Sequence, residues 1–293
     1  MADHVAAAKA AVLGEAMTAA RAAATGTAVE LSAGHVRVEH IGSSISNYLR
    51  VAVLAHYSAS AVVSRSFRAL VGAMRSAGYG VLVVSSAEFP ERLDWCGDDT
   101  TGVTVMRKPN VGYDFGSWAV GLDVYPDLRR REHVVLANDS LVGPFASIAP
   151  LLDAFHNTRA DVWGLTETLQ FSRHLQSYFL GFRGGVLQEP ALDWFWRGVR
   201  HHEDKTEVIH RNEIGLGKLL AQEGYAVDAA FPAGQVVAPG DNPTIAGWKA
   251  LLDRGMPFVK REIVRNPGLV ADGASIPAEI RKRFGEDVGD WLR

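Results

Sequence analysis

The run VAVLAHY at 51–57, followed by GVLVVS at 80–85, decides the fold. Each is short and almost wholly apolar, the pattern of a parallel strand covered on both faces. Between them Val63, Phe67, Leu70, Val71 and Met74 recur at helical spacing, and the pattern stops at Gly78. Strand, amphipathic helix and strand make a βαβ unit, which predicts a parallel sheet with a right-handed crossover.

Outward from this unit the alternation continues. Strands are expected at 102–106, 133–137, 161–165, 178–182 and 225–229, and helices at 115–125, 145–156, 191–199 and 214–223. Pro and Gly thicken after Pro232, which predicts irregular structure wrapped over the sheet. The reading is one α/β domain over 49–270, Rossmann-type, with a mostly parallel central sheet flanked by helices. Residues 1–48 read as a helical extension whose first 24 residues form an extra N-terminal helix. Residues 271–293 read as a tail or helix packed on the domain.

Composition narrows the function. In 293 residues, 47% hydrophobic content with 12 Phe and 7 Trp supplies a large core and excludes disorder for most of the chain. A net charge of -3 argues against a dedicated nucleic-acid binder. The lone cysteine, Cys96, excludes an internal disulfide framework and fits a reducing, cytoplasmic setting. No apolar run approaches the ~20 residues of a membrane span. Asp3, His4, Lys9, Glu15 and Arg21 interrupt the N-terminal stretch, so it does not read as a secretory signal.

In open α/β sheets ligands bind beyond the carboxyl ends of the strands. His56 and Tyr57 follow the first strand. Arg107 and Lys108, candidates for phosphate oxygens, follow the third, and Asn110, Gly112, Tyr113 and Asp114 come next. There the glycines Gly112 and Gly116 would admit a close backbone approach to a diphosphate, and Asp114 would accept from sugar hydroxyls. Equally, Asp114 would cap a helix and Trp118 anchor the core. The fourth strand ends abruptly in Asn138, Asp139 and Ser140. Hard oxygens at a strand end suit Mg²⁺ or Mn²⁺, with Asp139 as the metal ligand and substrate phosphates completing the shell. The alternative is that Asp139 and Ser140 cap the next turn.

A third cluster comprises Trp163, Thr166, Glu167, His174 and Gln176, which could hydrogen-bond or stack on a sugar or acceptor. The His201-His202 pair is weak as a metal site because neighbouring side chains on a helix diverge. Glu213 opens the helix expected at 214–223, where a carboxylate is stabilised as the anion. It is the candidate catalytic base, ahead of Asp161 and Glu167.

Taken together, LANDSLVGPF at 136–145, KPNVGYDFGSW at 108–118, ADVWGLTE at 160–167, HLQSYFLGFR at 174–183, VAVLAHY at 51–57 and NEIGL at 212–216 resemble the rhamnan synthesis protein F family, over roughly 51–263. The resemblance implies a GT-A-like glycosyltransferase fold and a part in bacterial cell-surface polysaccharide assembly. It implies that Asn138-Asp139-Ser140 takes the place of an acidic metal- and diphosphate-binding motif. The motif departs from a full Asp-x-Asp: a single carboxylate binds a divalent ion more weakly, and cationic side chains could share the task. It also puts Glu213, with Gly224-Tyr225 after its helix, in the position of the base of inverting enzymes.

The expected partners are therefore a dTDP-, UDP- or GDP-linked sugar, with L-rhamnose suggested by the family name, and a glycan or lipid-linked acceptor. A lipid-linked acceptor would bring the chain peripherally to the inner face of the plasma membrane. Two other readings stand beside an inverting transferase. One is a catalytically degenerate sugar-nucleotide-binding subunit, motivated by the incomplete acidic motif. The other is a nucleotidyltransferase, disfavoured because no Gly-rich, Lys- or Arg-bearing loop follows the first strand.

Overall fold

The computed structural model describes residues 26–293, so the helix expected over the first 24 residues lies outside the described residues. The chain folds into a mixed α/β structure around a large, mostly parallel sheet. A short helix α1 (Ala28–Ser32) leads to β1 (Arg37–Ile41), β2 (Arg50–His56), α2 (Arg65–Ser76), β3 (Tyr79–Ser85) and β4 (Val103–Arg107). Next come α3 (Tyr113–Val124), β5 (His133–Asn138), β6 (Leu141–Val142), α4 (Ala149–Asn157), β7 (Val162–Thr168), β8 (His174–Leu175) and β9 (Phe179–Arg183). The remainder is α5 (Pro190–Arg197), α6 (Lys205–Val208), α7 (Ile214–Gln222), β10 (Val227–Phe231), α8 (Trp248–Asp253), β11 (Val259–Lys260), α9 (Arg261–Arg265) and α10 (Ile276–Phe284).

The sheet runs in the order β1-β4-β3-β2-β5-β9-β7-β10, with β8 paired to β7. β2, β3, β4, β5, β7 and β10 share one direction, while β1 and β9 oppose it. Alternation along β2 sorts the two covered faces. Ala52 and Leu54 point to one side, where Phe67, Leu70 and Met74 of α2 and Leu152 and Phe155 of α4 pack. Val51, Val53 and Ala55 point to the other, against Phe115 and Trp118 of α3, Trp196 of α5 and Leu216 of α7. Each of these large side chains contributes about 1.5–3 kcal/mol on leaving water. Trp118 is fully buried, and its indole N–H donates to the Ala137 carbonyl at 3.1 Å, so no polar atom is stranded there.

Three features differ from the expectation. The segment 26–48 is not simply helical, because β1 joins the sheet antiparallel to β4. Its Glu39 forms a buried ion pair with Arg107 at 2.9 Å. Arg107 also donates to the carbonyls of Ala87 and Phe89, so it is a structural residue and not a phosphate ligand. Lys108 is likewise spent internally, its Nζ donating to Pro109 and Val111 carbonyls at 2.7 and 2.8 Å.

Second, the glycines of the 112–116 segment serve packing rather than a ligand. A Cβ on Gly116 would sit 2.4 Å from the Val111 carbonyl oxygen, and one on Gly112 would crowd Gly116 and Ala28. Third, the C-terminal part is more regular than expected. β11 pairs antiparallel with β6. A third core cluster joins Val142 and Phe145 to Trp248, Val259, Ile263, Ile276, Ile280 and Trp291. Residues on both sides of 270/271 therefore share one core.

Helix α4 lies close on β9 because position 181 is glycine: a Cβ there would stand 2.4 Å from the Phe155 ring. Gly181→Ala is expected to destabilise the fold by about 1–3 kcal/mol in urea unfolding. A loss under about 0.5 kcal/mol would mean that the ring yields and that this contact is not tight.

Candidate functional site

A cavity of about 990 Å³ opens at the carboxyl ends of β2 and β5. From the sequence candidates the fold brings His56, Tyr57, Tyr113, Asp114, Asn138, Asp139, Ser140, Gln176 and Glu213 to its lining. Ser177 and Tyr178 join them from the 174–183 stretch, and Asn242, Lys260, Arg261 and Arg265 from segments in which the sequence pattern marks no candidate.

The turn after β5 is held from within. The Asn138 amide donates to an Asp114 carboxylate oxygen at 2.6 Å, and its carbonyl oxygen accepts from Ser140 N–H and O–H at 3.1 and 2.6 Å. Asn138 is buried with both ends of its amide engaged. Asp114 is partly buried, and its carboxyl is pushed up to about 7. Burial is the main cause and the neighbouring Asp139 charge the second, opposed by Asn138, Lys260 and Lys108. Asp139 accepts from the Tyr57 backbone N–H at 3.2 Å. The His56 ring, packed 4.7 Å from Phe67 and 3.1 Å from Ser85 Oγ, is driven down to about 4 chiefly by burial, so it is neutral near pH 7.

Tyr113 enters α3 with a positive φ of 52°, a strained setting for a non-glycine residue. Its ring stacks with His201 at 6.4 Å, and its hydroxyl donates to the Glu203 carbonyl at 3.2 Å. The Gly112 N–H donates to His201 Nδ1.

Across the cavity, a five-residue π turn over Ile209–Glu213 delivers Glu213 to the start of α7. The Glu213 carboxylate accepts from the Ser177 backbone N–H at 2.8 Å and from the Ser177 hydroxyl, and lies 3.3 Å from His174 Nε2. Burial raises its pKa, but the donors of His174 and Ser177 outweigh burial and hold it below the usual carboxylate range. Gly217 lets α7 approach His174 this closely, since a Cβ there would fall 2.6 Å from His174 Cβ.

The other candidates sit elsewhere. Trp163 is a core residue between Phe155 and Phe179, not a stacking wall of the cavity. Thr166 is buried one layer behind, bonded to Gln176 Oε1 and the Tyr178 hydroxyl at 2.7 and 2.6 Å. Glu167 pairs with Arg173 at 2.7 Å, and Asp161 accepts from the Ala226 N–H at 2.8 Å, so neither alternative base reaches the cavity. Asn110 and Gly112 lie outside the lining, and His174 stands behind Glu213. His202 pairs with Glu207 at 3.2 Å.

The cationic side of the cavity comes from β11 and α9. The Arg261 backbone N–H donates to the Ser140 carbonyl at 2.8 Å, which seats this segment against the turn after β5. Lys260 Nζ lies 5.3 Å from the centre of the Tyr178 ring. Arg261 Nε and one Nη are buried without a hydrogen-bond partner, a cost of about 1–3 kcal/mol for each unmet donor. Burial lowers the Arg261 pKa, and the Asp139 charge acts against that. A Lys-Arg pair directly after the apolar Phe258-Val259 was the available signal, hidden because the region was read as irregular.

For a divalent cation the protein itself offers few free oxygens at this turn. The Asn138 oxygen is taken by Ser140, which leaves Asp139 as the strand-end carboxylate facing a basic wall. Among the described residues no three His, Cys, Asp or Glu side chains gather in metal-binding proximity.

The chain is an open-sheet α/β protein whose cavity lies at the carboxyl ends of its strands, the place where such sheets bind ligands. The chain is a member of the rhamnan synthesis protein F family, whose pattern matches residues 86–281. It is 29% identical over 220 residues to virulence protein VirA of Vibrio anguillarum, covering 63% of this chain and 67% of that one. It is 26% identical over 188 residues to the uncharacterised protein y4gN of Sinorhizobium fredii, covering 61% and 48% respectively. The family ties the chain to polysaccharide synthesis. Among the described residues no helix is long and apolar enough to cross a membrane.

The Asp114 carboxyl supplies a stability test. Its folded pKa is about 7 against an ordinary 3.8, so between those values the folded chain binds more protons than the unfolded one. Stability from this group therefore falls as pH rises through that window. Asn at 114 can still accept from Asn138 and has no proton to lose. The melting-temperature advantage of Asp114→Asn over the parent should widen from about pH 4 to about pH 7 and level off above it. An advantage independent of pH would mean that Asp114 titrates normally.

Proposed function

We propose that the chain is a GT-A-type glycosyltransferase that moves a sugar, with L-rhamnose the sugar the family description suggests, from a nucleoside-diphosphate donor to a hydroxyl of a cell-surface polysaccharide or glycolipid acceptor. The observation that carries this reading is Glu213: a carboxylate held ionised by Ser177 and His174, facing a cavity whose opposite rim ends β5. Family membership supports the polysaccharide setting.

In this reading the donor lies along the ends of β2 and β5, with His56 and Asp139 toward the sugar hydroxyls. The acceptor oxygen attacks the anomeric carbon from the Glu213 side. The bond between that carbon and the diphosphate oxygen breaks, and its electron pair leaves with the diphosphate. The acceptor proton passes to Glu213. A carboxylate with a lowered pKa is a weak base toward an intact hydroxyl. Once the new C–O bond forms, the oxygen turns strongly acidic and transfer to Glu213 runs downhill. A single displacement of this kind inverts the anomeric centre. The rate gain comes from alignment and from stabilising charge on the departing diphosphate.

A second reading, a sugar-nucleotide-binding subunit without turnover, is favoured by the lone strand-end carboxylate Asp139. The two separate on one experiment. The protein is incubated with dTDP-, UDP- and GDP-sugars and a bacterial membrane lipid extract, and binding and nucleoside-diphosphate release are both followed. Transfer is expected with one nucleotide class, and Glu213→Gln should lower turnover on the order of 10²- to 10⁴-fold while donor affinity stays. Binding without release in the parent protein would favour the subunit. Absence of binding to every donor would end both readings.

A further inference from the structure

We infer that the donor diphosphate is gripped by Arg261 and Lys260 of the C-terminal segment, in place of a divalent cation. The inference rests on the donor-site reading above and names what holds the charged end of that donor.

Several arginines carry a buried nitrogen without a partner: Arg107, Arg129, Arg131, Arg183 and Arg261. The first four donate elsewhere through another nitrogen, to Ala87, Asp193, Ser46 and Thr158 respectively. Those guanidinium groups are structural ties. Arg261 differs in two ways. Arg129 shares its unmet Nε and Nη, but Arg261 has no other nitrogen tied to a neighbouring acceptor, and it lines the cavity that the other four do not reach. These two N–H groups are buried as they stand; a turn of the guanidinium toward the cavity would bring its planar fork onto two oxygens of a phosphate and meet both donors.

Lys260 reaches the same cavity from the neighbouring position, beside the Tyr178 ring, and Arg265 lines it one helical turn further on. The position of this group is set by backbone contacts. β11 pairs with β6 through Lys260 and Leu141, and the Arg261 N–H binds the Ser140 carbonyl. The cations therefore stand beside the turn where a metal-dependent transferase would hold its ion. Asp139 contributes to the field that keeps Arg261 charged. Two polar neighbours of this turn are engaged internally: Asp114 takes the Asn138 amide, and the Asn138 oxygen takes Ser140.

A cationic grip makes donor binding independent of added metal and sensitive to salt, because ion pairing at a cavity rim is screened. It also reverses the expected effect of Asp139. A metal-held diphosphate would be lost with that carboxylate. A diphosphate held by Arg261 and Lys260 gains when a negative charge beside it is removed.

The test is calorimetric titration of the full chain with dTDP, UDP, GDP and inorganic pyrophosphate, in excess EDTA and again in excess Mg²⁺ or Mn²⁺. The expected result is equal binding of a nucleoside diphosphate in both conditions. Arg261→Ala should weaken it on the order of 10- to 100-fold. Lys260→Ala should weaken it less, and Asp139→Asn should tighten it. Melting curves establish that each variant folds. If Arg261→Ala does not fold, the Lys260→Ala and Asp139→Asn titrations decide alone. Binding that requires metal and is lost in Asp139→Asn would overturn the grip and leave the donor reading standing. If no nucleoside diphosphate binds in either condition, the donor reading falls and takes the inference with it.

Discussion

The antiparallel contact of Leu141–Val142 with Val259–Lys260 is only two residues long, and the cavity depends on it. A ladder that short has little strength of its own. It persists because Val142 and Val259 are buried in the same cluster as Trp248, Ile263, Ile276 and Trp291. The Ser66 hydroxyl adds a polar tie, donating to the Trp291 carbonyl at 2.7 Å while accepting from the Gly143 N–H at 3.3 Å. Apolar burial thus fixes where a pair of cations stands relative to the end of β5. Without that cluster the strand end would face solvent with its carboxylate and little else.

The polar residues of the cavity fall into two kinds. Asn138, Ser140 and Gln176 are satisfied by one another or by neighbours such as Thr166 behind them, so they set shape more than they bind. Asp139, Lys260 and Arg261 face the cavity with charge. Glu213 is intermediate, saturated with donors yet at the surface of the cavity. Such a division lets a rigid inner layer hold a reactive outer one without each change of ligand disturbing the fold.

Much of the architecture was legible in the sequence because it rests on local pattern. The seven expected strands all occur, each within about two residues of its expected start. Six are buried along nearly their whole length, and such a strand leaves few readings open, whereas β10 is largely exposed. β1 escaped because its burial pattern is mostly exposed, leaving no apolar run to see. β6, β8 and β11 escaped because two residues carry no period. At the site, residues at strand ends could be named from topology alone, and nine of the sequence candidates line the cavity. Trp163 was misplaced because an aromatic in a strand gives no sign of which face it takes. Arg107 was misplaced because its acceptors, Glu39 above all, are far off in the chain, and Lys108 because it is taken by nearby backbone carbonyls, which carry no sequence signal. Lys260 and Arg261 depend on a contact spanning more than a hundred residues, which no local pattern records.

The reversed direction of β9, lodged between β5 and β7, has an effect on how the site could diversify. The rim of the cavity receives chain leaving the parallel strands and also chain arriving at β9, where Ser177 and Tyr178 enter. The segment 169–177 therefore brings Gln176 and Ser177 to one bank of the cavity, while the ends of β2 and β5 line the other. Its length and composition could drift without moving the sheet, since both of its anchors are hydrogen-bonded into it. A lineage built on this scaffold could exchange one bank by insertion or deletion and inherit the other intact.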